Sequence, residues 1–242
     1  MTIAENIHIV RGRIETACAK SGRKPDDVTL IAVSKTNPAE AVIEATAVGV
    51  QHFGENRVEE AESKIPVVNA QVSKAPTWHM IGHVQSRKAK DVAALFQYVH
   101  SVDTLKLAQK FSALSVEKGE KLAVLLEINV SGEEAKHGFV AMDWASKDKV
   151  KSDLWLQIEQ VLALPGLRVC GLMTMAPIVP DPEEARPVFA SLSALRNALE
   201  NRFLVKLPDL SMGMTDDYEV AIAEGATFVR VGRAIFGERV NQ

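Results

Sequence analysis

Val28-Thr-Leu-Ile-Ala-Val-Ser-Lys35 is an apolar run that ends on a lysine. Five of its eight residues are Val, Leu, Ile or Ala, and it stops against Asn37-Pro38, so it reads as a strand buried on both faces, as in a parallel sheet. The lysine stands at the carboxyl end of that strand. Sheets built from βα units gather their chemistry at this end. A partly desolvated lysine there has its pKa lowered and attacks a carbonyl to form a Schiff base. The plain alternative is a lysine that marks where the strand meets water.

Working outward, Ile3, Ile7, Val10, Ile14 and Ala17 draw one apolar stripe along a helix that precedes this strand. After Lys35, Asn37-Pro38-Ala39-Glu40 combines a cap residue, a proline at the first helical position and an acid, which opens a helix running to about Gly49. Strand and helix signals then alternate. Further strands are predicted at 51–56, 78–82, 98–102, 122–130, 167–173, 209–212 and 226–231. The helix from Arg57 is expected to stop at Pro66, another to span about 85–96, and the polar stretch 133–153 to form a mobile loop. Eight such strands predict an α/β fold, a single (β/α)8 TIM barrel with an extra N-terminal helix, occupying residues 1–242 as one domain. An open doubly wound sheet is the structural alternative.

Composition narrows the function classes. With 47% apolar and 24% charged residues in 242, the chain has the makeup of an ordinary globular protein. A net charge of −3 argues against a nucleic-acid partner, and the short basic run Arg87-Lys88-Ala89-Lys90 reads as a solvated helix face. Cys18 and Cys170 fall in different predicted elements, which suits a reducing compartment. No apolar run approaches the roughly 20 residues of a membrane span, so a cytoplasmic location and no membrane partner are expected. His79 and His83 are four apart on a strand rather than a helix, a poor spacing for metal, and no metal is expected. Tyr98, Tyr218 and Cys170 read most simply as packing residues.

In a barrel, an anion commonly sits where the loops after the last two strands meet a short helix. Here those loops read Ser211-Met-Gly213 and Gly232-Arg-Ala234. Glycines let backbone N–H groups approach a phosphate, and Ser211 adds a hydroxyl. In Phe228-Val-Arg-Val-Gly232 the strand alternation puts both valines on one face and Arg230 on the other. If the valines face the helices, Arg230 points into the barrel and needs a carboxylate, for which Glu127 is available, or a ligand's ring nitrogen. A Schiff-base lysine, a phosphate cradle and an inward arginine together fit pyridoxal 5′-phosphate.

Ala32-Val-Ser-Lys-Thr36, Phe53-Gly-Glu-Asn-Arg57, Trp78-His-Met-Ile-Gly-His-Val-Gln85, Lys136-His-Gly-Phe139, Gly171-Leu-Met-Thr174, Leu210-Ser-Met-Gly-Met-Thr-Asp-Asp217 and Val229-Arg-Val-Gly-Arg-Ala-Ile-Phe-Gly237 resemble the pyridoxal phosphate homeostasis protein family, single-domain relatives of the alanine racemase barrel. The resemblance implies pyridoxal phosphate on Lys35, Asn56 beside the cofactor, Ser211, Gly213 and the Gly232-Arg233 backbone on its phosphate, and Arg230 facing the pyridine nitrogen. Arg87 departs from the asparagine of the family pattern, and the segment after Phe139 is longer. The resemblance further implies a carrier that buffers or delivers the cofactor, with pyridoxal phosphate-dependent apo-enzymes as recipients and a monomer or weak dimer as its state. An arginine beside the ring nitrogen makes the ring a poor electron sink, and racemisation needs an acid or base on each face of the α-carbon, which in the racemases a second domain helps supply. The alternatives are a racemase-like pyridoxal phosphate enzyme and a cofactor-free Schiff-base aldolase.

Overall fold

The Val28–Lys35 run forms β1 (Thr29–Val33), and its side chains divide between two environments. Ile31 lies in a small apolar cluster inside the barrel, whereas Ala32 belongs to the layer between strands and helices. A computed structural model, describing residues 1–133 and 136–237, shows the same division around a closed ring. The strands are β1, β2 (His52–Glu55), β3 (Thr77–Met80), β4 (Tyr98–Val102), β5 (Leu122–Asn129), β6 (Phe139–Val140), β7 (Leu167–Met173), β8 (Asp209–Ser211) and β9 (Phe228–Val231). All pair in parallel. The hydrogen-bonded order β4-β3-β2-β1-β9-β8-β7-β5 closes on itself through β4 and β5, giving eight barrel strands, and the short β6 lies against the end of β5. This is the (β/α)8 barrel that the alternation predicts.

The intervening helices are α1 (Ile3–Lys20), α2 (Ala39–Ala47), α3 (Val58–Gln71), α4 (Ala89–Leu95), α5 (Leu105–Lys118), α6 (Asp148–Leu162), α7 (Arg186–Phe203), α8 (Tyr218–Ala223) and α9 (Arg233–Phe236). The stripe on α1 is buried as its spacing predicts, with Thr2 and Glu5 closing a capping box at its start. Thr104 caps α5 by accepting from the Leu107 N–H. Among the described residues no helix is long and apolar enough to cross a membrane.

Four local expectations change. The helix begun near Arg57 does not end at Pro66 but runs on to Gln71, because Val58, Ala61, Ile65 and Val68 form a buried stripe that holds the turn after the lost backbone bond. Asn37 does not cap α2; Pro38 takes the cap position and the helix starts one residue later. The segment 85–96 opens with a 3-10 turn at Ser86–Lys88 before α4. Within 133–153, of which residues 134 and 135 lie outside the description, Phe139 and Trp144 are buried, β6 pairs with β5, and α6 is already under way by Asp148. Its apolar anchors, rather than its polar average, decide its order.

Candidate functional site

Lys35 leaves the carboxyl end of β1 half-buried, and the backbone around it is held by a buried ionic cluster. Lys64 Nζ on α3 donates to the Ser34 carbonyl at 2.8 Å, to Glu55 Oε1 at 2.7 Å and to Glu60 Oε1 at 2.7 Å. Ser34 Oγ donates to the same Glu55 oxygen, and the Thr36 N–H donates to Glu60 at 2.6 Å. The residues on both sides of the lysine are therefore fixed by charge-assisted bonds. Burial pushes the Glu55 carboxyl up, while Lys64 and Ser34 draw it back down. Thr36 carries a φ of 64°, a left-handed conformation that a β-branched residue adopts only under constraint. That strain sits on the neighbour of the candidate nucleophile.

Next to β1 in the ring, β9 places Arg230 opposite Ile31, and Gly232 lies against Val33, two residues before Lys35. Val229 and Val231 join the outer layer and Phe228 the inner cluster, so Arg230 points inward, as the alternation predicts. Of the two partners the sequence leaves open, a carboxylate or a ligand's ring nitrogen, the carboxylate is not the one it bonds. Instead of an ion pair with Glu127, Nη1 donates to Ser211 Oγ at 2.6 Å and Nη2 to the Thr174 carbonyl at 2.9 Å. Burial lowers the guanidinium to about 10, opposed by Asp217 and Glu127, so it remains charged at neutral pH. Glu127 is raised to about 7 by its own burial and by Asp103, against the pull of Arg230.

The turn after β8 depends on Gly213, whose φ is 91° and whose added Cβ would lie 2.6 Å from Ala221 Cβ and 2.8 Å from Tyr218 Cα. The Arg230 N–H donates to the Gly213 carbonyl, and Arg233 ion-pairs with Asp216, so the turns after β8 and β9 are tied by backbone and by charge. Gly232 is the cap residue of α9, whose first N–H groups have no acceptor within the helix. Ser211 itself faces into the barrel, where its hydroxyl is engaged by Arg230 and, at 2.8 Å, by His100. It ends β8, where the turn to Gly213 begins, and supports the arginine from there.

From Ser211 a line of imidazoles descends through the barrel. His100 Nε2 lies 2.9 Å from His79 Nδ1, and His79 Nε2 lies 3.0 Å from His52 Nδ1, near the amino end of β2. Burial, then neighbouring charges, holds His79 and His100 well below the usual imidazole range, so both are neutral. Arg230 can only donate, so Ser211 accepts from it. With the hydroxyl proton directed to His100 Nδ1, each histidine in turn carries its proton on Nε2 and donates to the next.

The structure thus brings Lys35, Arg230, Ser211, Gly213, Gly232 and Arg233 to the β1–β9–β8 sector of one rim. Asn56 follows β2, the strand next to β1 in the ring, and packs against the chain after β3: its carbonyl would lie only 2.3 Å from a Cβ at Gly82, and its buried Oδ1 has no hydrogen-bond partner. An orphaned buried acceptor is what a ligand donor would satisfy. His79 and His83 separate, one inside the barrel and one exposed at the rim. The Lys64–Glu55–Glu60 cluster, the histidine line and Thr174 went unread in the sequence. Glu60 and Lys64 stand four apart, the spacing of a helical ion pair, but nothing local links them to Glu55, which closes β2.

A family model described as the alanine racemase N-terminal domain matches residues 10–240. The chain is 45% identical over 240 residues to a pyridoxal phosphate homeostasis protein of Pseudomonas aeruginosa, covering 98% of this chain and 96% of that one. It is 38% identical to the protein of that name from Aquifex aeolicus, over 99% of both. Among solved structures, PipY of Synechococcus elongatus PCC7942 with pyridoxal phosphate bound aligns at a TM-score of 0.82 and 33% identity, covering 98% of this chain and 100% of that one. Alanine racemase of Clostridium difficile 630 shares the fold alone, at 15% identity and a TM-score of 0.70, with 61% of its chain covered. Coverage of nearly the whole chain at these identities, on a barrel whose rim gathers the lysine, the arginine and the glycine turns, places this protein in the pyridoxal phosphate homeostasis protein family, within the alanine racemase N-terminal-domain fold.

Proposed function

We propose that this chain is one domain that carries pyridoxal 5′-phosphate as a Schiff base on Lys35 and serves its intracellular homeostasis by holding and delivering it, without turnover of its own. The observation that carries this reading is the placement of Lys35 at the end of β1, beside the β9 strand that holds Arg230 and next to the turns of Gly213 and Gly232. The structure of PipY bound to pyridoxal phosphate and the names of the relatives support it. The orphaned Asn56 Oδ1 and the backbone turns fit such a ligand.

When bound, the cofactor supplies an aldehyde and a phosphate dianion. Lys35 offers the amine, its backbone fixed by Lys64 and Glu60 through Ser34 and Thr36. The N–H groups of the Gly213 and Gly232–Arg233 turns, with Arg233 itself, suit the anion. Arg230 is cationic and donates through fixed bonds to Ser211 and Thr174; facing a ring nitrogen, it keeps that nitrogen unprotonated. The racemase-like alternative needs a further acid or base. Tyr98 opens β4 at the amino end of the strands, stacked on His79 with Arg168 over its ring, and the Cys170 thiol lies in the inner apolar cluster, pushed up by burial. Neither stands at the Lys35 rim.

Purified protein should show a visible band that Lys35→Ala abolishes. A Lys35→Ala protein that keeps the band and still gives a borohydride-fixed adduct elsewhere ends this reading. Deuterium exchange at the α-carbon across a panel of amino acids in D2O should be absent; exchange would restore the racemase-like alternative.

A further inference from the structure

On the opposite sector of the same rim, three consecutive strand ends converge. His83 follows β3, Asp103 follows β4, and His137 lies between β5 and β6. His83 Nδ1 is 2.9 Å and His137 Nδ1 3.9 Å from one oxygen, Asp103 Oδ2. The two rings stack with centroids 3.9 Å apart and 14° between planes, and one ligand atom from each of the three residues falls within 4.8 Å of the others. We propose that His83, Asp103 and His137 form a binding site for a borderline divalent transition ion, of which Zn2+ is the type.

The donor set decides the class of ion. Two imidazole nitrogens and a carboxylate suit Zn2+, Co2+ or Ni2+, whereas Ca2+ and Mg2+ prefer oxygen throughout. Zinc holds nitrogen and carboxylate oxygen at about 2.0–2.2 Å, so neighbouring ligands on a tetrahedral ion lie roughly 3.4 Å apart. The observed 2.9 and 3.9 Å bracket that spacing, and the two exposed rings must turn out of their stack to aim both Nδ1 lone pairs at one ion. Binding replaces the 2.9 Å contact between His83 Nδ1 and Asp103 Oδ2; any proton on Nδ1 is released to solvent or moves to Nε2, and the Nδ1 lone pair takes the ion. Three protein ligands leave at least one position open to solvent at the barrel mouth, the pattern of an exchangeable rather than a closed structural site.

Each ligand is held from behind. The Asp103 carboxylate is buried, the Gly82 carbonyl beside His83 accepts from Ser101 Oγ at 2.6 Å, and Gly138, at a φ of 115°, turns the chain after His137 into the β5–β6 pairing. The spacing that links His83 to His79 in the sequence is irrelevant to this cluster; the fold pairs it with His137, 54 positions away in the chain.

The rival explanation is an ordinary His–Asp ion pair with a second histidine stacked on it. Chelator-treated protein titrated with Zn2+ by calorimetry, and with Co2+ for the visible bands of a tetrahedral ion, separates the two. One ion per chain is expected, with His83→Ala and His137→Ala each weakening Zn2+ binding by about tenfold or more while thermal unfolding without metal stays unchanged in His137→Ala, whose contact with Asp103 is the longer one. Because both histidines are exposed, these variants keep the test sound even if Asp103→Asn fails to fold. No saturable binding, or an affinity that moves less than about threefold in both histidine variants, overturns the proposal.

Discussion

The two halves of the Lys35 rim are built by opposite means. On the β1–β2 side the backbone carrying the lysine is propped by buried charges, with Lys64 reaching Ser34, Glu55 and Glu60. On the β8–β9 side the scaffold is backbone, with glycines lying so close to their neighbours that a Cβ at Gly213 would collide with α8. The first side should fail when a side chain is deleted. The second should fail when an atom is added.

The largest expected effect lies on the charged side. Lys64→Met leaves Glu55 buried without its cation and should cost roughly 3–5 kcal/mol in denaturant unfolding. A loss below about 1 kcal/mol would erase the contrast. Gly213→Ala should cost about 1–3 kcal/mol, through the left-handed φ and the contact with Ala221, and should weaken binding of pyridoxal phosphate beyond the loss of fold. Wild-type affinity in that variant would show that the turn does not hold the anion.

The histidine line beneath Arg230 gives a pH signature. His79 and His100 are held below their unfolded value of 6.5, so the unfolded chain binds more protons as pH falls below that value. Their contribution is present above pH 6.5 and is lost on acidification, each histidine adding up to about 1.4 kcal/mol per pH unit to the slope. His52, Ser211, Arg230 and the rings of Tyr98 and Phe228 surround them, and of these His52, acting on His79, and the arginine charge, acting on His100, reinforce the direction. His79→Gln should flatten stability between pH 6.5 and 5; an unchanged slope would mean that another group governs it. Smallest is Thr36→Gly, where relief of the left-handed strain offsets added chain entropy, so stability should hold within about 1 kcal/mol. A larger loss would show that the Thr36 hydroxyl, bonded to the Lys35 carbonyl, supports the rim.

What the sequence disclosed follows the same division. The outer layer was readable because its burial is periodic: the α1 stripe and the valines flanking Arg230 face where their spacing puts them. The glycine turns and the lysine were readable as local punctuation. The barrel interior was not, since His52, His79, His100 and Ser211 come from four strands, and only closure of the ring puts them in contact. For the same reason the sequence offers Glu127 as a carboxylate for Arg230 but not the bonds it makes, to the Ser211 hydroxyl on β8 and to the Thr174 carbonyl just after β7. Pro66 misled because helix breaking is a local rule and the buried stripe of α3 is a tertiary one.

The central claim is that one amine, Lys35, holds the cofactor. Borohydride reduction of protein loaded with pyridoxal phosphate, followed by digestion and mass mapping of the phosphopyridoxyl group, tests it most directly. The group should be found on the peptide containing Lys35; recovery on Lys64, Lys136 or another lysine with Lys35 unmodified would contradict the account.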